Sequence, residues 1–299
     1  MGAADRRWPR IESLAKKRFG AFRFHLTTGP GDATRLAQQA LLEGAEVIVC
    51  MGGDGTLHEV INGLMNEHGP VEPKLKVGFI PNGTGCDLIK TIPIPTEIKK
   101  AFDVILEGHV LPMDLGRLTY NDRQGRPVYR YFHNVASFGL GGEVAERANR
   151  GSKIFGGFFS FIRATLVSLL LYDKKEIHLK VDDGSEEKVT SWNVAVANGQ
   201  FHGGGMWIAP GARVSDGLFQ VTVVEDLSLP QVLLNLPKLY NGKILEIEKV
   251  SFLRGRRIEA RSEQRVLLEA DGERSGQLPA TIEVVPAALT LIAPAHFLG

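Results

Sequence analysis

The stretch AEVIVCMGGDGTLHEV, residues 45–60, limits what this chain can fold into more than any other. A short run of β-type apolar residues stops at Gly52-Gly53-Asp54-Gly55-Thr56. Apolar residues then recur at 57, 60, 61 and 64, the spacing of one helix face. Strand, glycine turn and helix in that order begin a βαβ unit, and such units build parallel sheets with helices on their faces. The run AEVIVCM is therefore expected to be a strand buried on both faces. The same texture recurs nearby. ATRLAQQALLEG reads as a helix ending at Gly44, KVGFIPNGTG as a strand and loop, and DLIKTI and EIKKAFDVILEG as helices.

Beyond about residue 118 the pattern changes. YRYFHNVASFG, KEIHLKVDDG, WNVAVANG, GLFQVTVVED, RIEARS, RVLLEADGE, ATIEVVP and ALTLIAP are short β runs separated by turn signals. They predict an antiparallel sandwich or barrel, interrupted by helical insertions near 154–172 and 229–240. The expected fold class is α/β in two domains. Residues 1–118 form a parallel-sheet nucleotide-binding domain, and residues 119–299 an antiparallel β-sandwich whose C-terminal tail returns to the first domain.

Charge and cysteine content narrow the function. With 35 Lys+Arg against 34 Asp+Glu, the formal net charge is +1, so no global field points to nucleic acid. The basic run RGRR at 254–257 reads as a solvated strand edge. The two cysteines, Cys50 and Cys86, form neither a disulfide framework nor a C-x-x-C pair, which fits a reducing compartment. The opening residues carry no apolar core of a signal peptide. The stretch IFGGFFSFIRATLVSLLLY, 154–172, is long enough to span a bilayer, but Arg163 at its centre argues against spanning. Its aromatic residues Phe155, Phe158 and Phe159 leave two readings open, core packing or contact with lipid.

In open parallel α/β sheets, ligands sit at the carboxyl ends of the strands. Glycines let a backbone approach a ligand closely, and amides at a helix start favour anionic groups. Gly52 to Thr56 is thus well placed for a phosphate. Asp54 fits beside Mg²⁺ or as a hydrogen-bonded shaper of the turn, and the plain alternative is a tight turn with an Asp cap. Neither G-x-G-x-x-G nor G-x-x-x-x-G-K-[ST] is present. A second loop, IPNGTGCDLIKT at 80–91, repeats strand, Gly-Thr-Gly, carboxylate and helix. Two such loops on neighbouring strand ends suit one polyphosphate. With LPMDLGRL supplying a third carboxylate, Asp54, Asp87 and Asp114 are candidates to surround one Mg²⁺ through water. His133 and His202 stand isolated and read as structural. HEVIN is not a zinc-protease motif, and VASFG only half matches a nucleophile elbow.

The set GGDGTLHEVINGL, PNGTGCDLIKT, MDLG, NGQFHGGGMWIAPGARVSDGLFQV and EADGE, in that order over about residues 8–295, resembles the diacylglycerol kinase catalytic family. It looks closest to the bacterial soluble lipid kinases, which also resemble sphingosine and ceramide kinases. The resemblance implies that ATP and lipid meet in a cleft between an α/β domain and a β-sandwich. It implies ATP contacts at Gly52, Gly53, Asp54, Gly55, Thr56 and Glu59, and at Asn82, Gly83, Thr84 and Gly85 of the second loop. Asp271 matches the family's proposed general base, with Glu273 beside it, and Asp216 matches a structural Mg²⁺ position. Spacing alone leaves ADGE equally readable as a hairpin turn.

Two departures accompany the match. Cys86 stands where the family usually has Asn. The family's first strand and its Asn-Pro-x-x-Gly loop have no counterpart ahead of MGAADRRWPRI, which implies an uncovered sheet edge. The expected activity is ATP- and Mg²⁺-dependent phosphorylation of a lipid hydroxyl. The protein would be cytoplasmic, in peripheral contact with the inner face of the membrane, and free of nucleic acid, with a homodimer left open. The rival readings are NAD kinase, which shares Gly-Gly-Asp-Gly-Thr, and a non-catalytic lipid- or nucleotide-binding homologue.

Overall fold

The computed structural model describes residues 3–83, 85–122, 124–150 and 157–297. The side chains of 3–7, 149–150 and 157–162 lie outside what is described. The expectations placed on Thr84 and on the rings of Phe155, Phe158 and Phe159 therefore fall outside the described residues. The chain divides into two compact units, one of residues 1–112 with 288–299 and one of residues 113–287.

The first unit alternates helix and strand. It contains α1 (Ala3–Phe19), α2 (Asp32–Leu42), β1 (Val47–Gly52), α3 (Asp54–Leu64), a two-residue pair β2 (Met65–Asn66) and β3 (Gly69–Pro70), β4 (Lys76–Pro81), α4 (Leu88–Thr91) and α5 (Ile98–Glu107). Strands β1 and β4 are parallel, with Cys50 opposite Phe79 and Gly52 opposite Pro81. The apolar spacing of α3 is realised: Leu57, Val60, Ile61 and Leu64 are all buried. Gly108, at φ 68, ends α5 in the left-handed conformation that glycine adopts without strain.

One expectation about this sheet needs correcting. β4 is buried along nearly its whole length, but β1 is not. Val47 and Val49, two residues apart on one face, are 44% and 42% exposed. The apolar run promised cover on both faces, but β1 pairs only with β4 among the described residues, so it is an edge strand.

The second unit is largely antiparallel. Its first strands are β5 (Val110–Asn121), β6 (Pro127–Phe132) and β7 (Val135–Gly139). Helices α6 (Leu140–Arg150) and α7 (Gly157–Leu171) come next. Then follow β8 (Lys175–Val181), β9 (Glu187–Ala197), the short pair β10 (Phe201–His202) and β11 (Met206–Trp207), β12 (Phe219–Glu225) and α8 (Leu229–Tyr240). Strands β13 (Val250–Gly255), β14 (Arg257–Arg261), β15 (Leu267–Ala270), β16 (Glu273–Gln277) and β17 (Ala280–Ile292) complete it. The last residues of β17 pair with β4 in parallel, Leu291 opposite Val77, and belong to the first unit.

Strand β9 shows why this sequence makes a sandwich. It pairs with β7, β8 and β12, and past the irregularity at Trp192 its side chains alternate between two cores. Val194 and Val196 pack with Phe132, Phe138, Phe219 and Val221 on one face. Trp192, Ala195 and Ala197 pack with Val135, Ile208 and Ile244 on the other. Helix α8 starts with a capping box between Ser228 and Gln231 and has a proline in its first turn.

A charged network runs along the rim of this unit. Glu283 accepts from Arg117 at 2.8 Å and from Arg257 at 2.5 Å. The bond from Arg117 is the main reason its carboxyl titrates below the usual 4.5. A folded value below the unfolded one adds stability that is present above pH 4.5 and lost as pH falls through the lower folded value. The expected gap in unfolding free energy between wild type and Glu283→Gln is below about 1 kcal/mol near neutrality, because the pair is partly solvated. Chemical denaturation repeated at falling pH should show the two curves converge. A gap that widens in acid would contradict this origin.

Candidate active site

The two glycine loops sit at the carboxyl ends of β1 and β4, neighbouring parallel strands of the first unit. Asn82 N–H donates to Gly52 O at 2.8 Å, which carries the ladder one residue past the strands. The loops then touch. A Cβ added to Gly83 would stand 2.4 Å from Gly53 Cα and 3.0 Å from Gly53 N. Only two glycines permit that approach. Gly52 is equally tight, since a Cβ there would meet Thr56 Oγ1 at 2.6 Å. Gly53 is the N-cap of α3, so the first amides of that helix open at the loop.

Asp54 ties the loops together. Its Oδ2 accepts the backbone N–H of Asp87 at 2.7 Å. Of the two roles open to this carboxylate in the sequence, shaping the turn is served by this hydrogen bond. Asp87 is 5% exposed, and its Oδ1 receives Lys90 Nζ at 2.8 Å. Glu59, grouped with the ATP contacts, has a definite task elsewhere in the unit. Its carboxylate oxygens accept from the amides of Gly31 at 2.8 Å and Ala33 at 3.0 Å, at the start of α2.

Cys86 stands at φ 39, in the left-handed region. Asn tolerates that region better than other residues with a Cβ, which gives a local reason for Asn at this position in the resembled family. The thiol is buried, and burial pushes its pKa up. It lies 3.8 Å from Gly52 O and 3.6 Å from Gly83 O, contacts that an amide would make as stronger donors. Cys86→Asn is therefore expected to stabilise the protein by about 1 kcal/mol. Thermal denaturation of the two proteins side by side checks it, and a lower midpoint in the variant would refute it.

Asp114 and Asp216, expected around Mg²⁺, each bind groups of the protein itself. Asp114 lies in the second unit and is 3% exposed. Its two oxygens accept the backbone amides of Ala287 at 2.8 Å and Gly217 at 2.7 Å. Asp216 accepts from Leu218 N–H and faces the Arg254 guanidinium. Both residues act as ties between segments far apart in sequence.

The second unit builds its own polar centre around the β15–β16 turn. Asp271 and Gly272 have φ values of 51 and 81, the two left-handed residues of a tight hairpin turn. The hairpin reading of ADGE is thus met, and the carboxylate is also committed. Asp271 Oδ1 accepts the amides of Asn134 at 2.9 Å and Val135 at 3.2 Å, and Oδ2 accepts that of His133 at 3.0 Å. His133 Nδ1 lies 2.8 Å from the same Oδ2, and both side chains are fully buried. Glu273, two residues on, is exposed.

Sequence reasoning missed the supports of this turn. Glu269 is 1% exposed and accepts Ser137 Oγ at 2.5 Å and Gly272 N–H at 2.7 Å. His202 Nε2 stands 3.4 Å from it. The register of β15 against β7 places Glu269 opposite Ser137. The available signal was a lone carboxylate inside the apolar run LLEA, which is costly to bury without partners. His133, read as isolated, faces Asp271.

Comparison with known proteins gives a consistent result. Residues 1–118 match the diacylglycerol kinase catalytic domain, and residues 134–293 match the YegS C-terminal NAD kinase beta sandwich-like domain. A diacylglycerol kinase of Mycobacterium tuberculosis is 32% identical over 267 residues, 89% of this chain and 82% of that protein. One from Staphylococcus carnosus is 31% identical over 257 residues, 86% of this chain and 79% of that protein. A solved structure of a diacylglycerol kinase from Bacillus anthracis superposes with a TM-score of 0.73 at 21% identity, over 99% of this chain and 94% of that one. At that identity the likeness shows the fold.

Proposed function

We propose that this chain, which belongs to the diacylglycerol kinase family, transfers the γ-phosphoryl group of ATP to the hydroxyl of diacylglycerol or a related lipid. The observation that carries the reading is the approach of Gly83 to Gly53 at adjacent strand ends, with Asp54 bonded across to Asp87. Two amide-rich loops held this close suit a polyphosphate. Phosphoryl transfer depends on positioning and charge stabilisation more than on covalent chemistry by the protein.

The first unit is assigned the nucleotide, through Gly52, Gly53, Asp54, Gly55 and Thr56 and through Asn82, Gly83, Thr84 and Gly85. Glu59 supports this site indirectly, by fixing the start of α2. Asp54 and Asp87 are a fitting donor set for Mg²⁺ through water, being two carboxylates on the two phosphate loops. When bound, Mg²⁺ supplies neutralisation of charge on the phosphate oxygens. The second unit is assigned the hydroxyl. Asp271, oriented by three amides and backed by His133, takes up its proton, and Glu273 is the neighbouring carboxylate on the same turn.

A lipid acceptor is supported by exposed leucines. Leu166, Leu170 and Leu171 of α7 are 50%, 66% and 65% exposed, and Leu234 of α8 is 79% exposed. Such a surface suits peripheral contact with a membrane. Among the described residues no helix is long and apolar enough to cross a membrane. The test is transfer from labelled ATP with Mg²⁺ to mixed micelles of bacterial lipid, with free NAD in a parallel reaction. Label in the organic phase supports the reading, and the labelled lipid names the acceptor. Label in NAD, or ATP bound without transfer in either reaction, would overturn it.

A further inference from the structure

The second unit contains a cavity of about 260 Å³ between the C-terminal turn of α7, α6 and the start of β8. The proposed reaction makes no use of it. Its lining is polar and unusually well stocked with donors. Ser168 is fully buried, and its hydroxyl has no hydrogen-bond partner among the described residues. The buried Tyr172 hydroxyl and Arg147 Nε have none either. Burying a hydroxyl or guanidinium N–H without a partner is costly. The residues carrying these groups line the cavity, but the three atoms themselves are shut off from solvent, so a ligand meets the charged ends of the lining side chains.

Charge refines the class of ligand. Arg147, Lys175 and Arg265 line the cavity against two carboxylates, Glu143 and Asp173. The carboxylates do not neutralise the cations closely, since Arg147 stands 3.9 Å from Glu143. Lys175 Nζ is held 5.7 Å from the centre of the Tyr172 ring, so one cation is fixed at the cavity wall. The end of α7 presents a partial negative charge, which three cations exceed. A phosphate alone would satisfy the cations but would leave the two carboxylates facing an anion. A ligand that carries both a phosphate and free hydroxyls satisfies both sets, with the phosphate toward the arginines and the hydroxyls donating to Glu143 and Asp173. The volume falls just below the range for drug-sized pockets, about 300–1,000 Å³, and suits a small ester.

We propose that this cavity binds a small phosphorylated polyol, either as a free metabolite or as the headgroup of a phospholipid, at a site separate from the glycine loops. Leu171 lines the same cavity and is 65% exposed, which places the opening beside an apolar edge.

The experiment is calorimetric titration of the full chain with glycerol 3-phosphate, inorganic phosphate and glycerol in turn. Co-sedimentation is run in parallel with phosphatidylcholine vesicles with and without phosphatidylglycerol. The variants are Arg147→Gln and Lys175→Gln, each removing a cation that lines the cavity. The second leaves the Tyr172 ring and its contact to Trp192 at 6.1 Å in place, so its fold is preserved. Glycerol 3-phosphate should bind one to one and more tightly than either fragment, and each variant should weaken it by about tenfold or more. Vesicle binding that depends on phosphatidylglycerol and falls in the same variants assigns the headgroup as the source. Soluble binding alone assigns the free ester. Absence of binding by the wild type, equal binding of glycerol, or binding indifferent to both variants would overturn the proposal. None of these outcomes bears on transfer from ATP, so the two readings fail separately.

Discussion

Asp271→Asn is expected to lower the rate of phosphate transfer by about 10²–10⁴-fold, the usual contribution of a positioned general base, while ATP affinity stays close to that of wild type. The structure makes this substitution informative because the carboxylate is so fully engaged. Oδ1 receives two amides, and Oδ2 receives the His133 amide and faces His133 Nδ1. Asn keeps one carbonyl oxygen for two of the amides and tolerates the left-handed backbone found here at φ 51. Its NH₂ then faces the His133 amide, donor against donor. One orphaned buried N–H costs about 1–3 kcal/mol, so a lower melting temperature should accompany the lost rate. His133→Gln separates the two effects. It leaves the three amide bonds to Asp271 in place and should slow transfer less than Asp271→Asn. Transfer by Asp271→Asn within about tenfold of wild type would remove this residue from the chemistry and leave it a turn-former. Measuring turnover and nucleotide binding on the same preparation distinguishes loss of chemistry from loss of fold.

Local pattern made part of this architecture legible and could not reach the rest. The helix Asp54–Leu64 follows from the apolar residues at 57, 60, 61 and 64, because periodicity is a property of neighbours in sequence. The sandwich follows in the same way, since the alternation in β9 feeds two cores. The glycine loops were visible because glycine after a strand marks a backbone that must approach something closely. What a local pattern cannot give is the partner of a buried charge. Ser137 and Glu269 are 132 residues apart, and Asp114 reaches Ala287 across 173. Those pairs exist because of strand register and chain return, which are set by the whole unit. Asp114 and Asp216, picked out one at a time as metal positions, also tie such distant segments together. β1 misled for a related reason. An apolar run reports what can be buried, whereas exposure at Val47 and Val49 depends on which strands lie beside it.

The second large effect is expected from one methyl group in the loop pair. Gly83→Ala would place a Cβ 2.4 Å from Gly53 Cα, a backbone atom that cannot rotate away as a side chain can. The two loops would have to part, and the cost of such overpacking is about 1–3 kcal/mol. Parting them also loosens the bond from Asp87 N–H to Asp54 at 2.7 Å, and with it the geometry of both amide sets. If the loops cradle one polyphosphate, ATP affinity should fall by at least the tenfold that about 1.4 kcal/mol represents. The rate at saturating ATP should fall as well, because phosphoryl transfer depends on alignment. Gly29→Ala is the matched control. It lies in open space, with nothing within 4 Å of an added Cβ, and should leave stability within about 0.5 kcal/mol of wild type. The decisive comparison is ATP titration of both variants alongside their unfolding curves. A Gly83→Ala protein that is destabilised yet binds ATP as tightly as wild type would mean that the close approach serves only the fold. The polyphosphate would then have to be held by one loop alone.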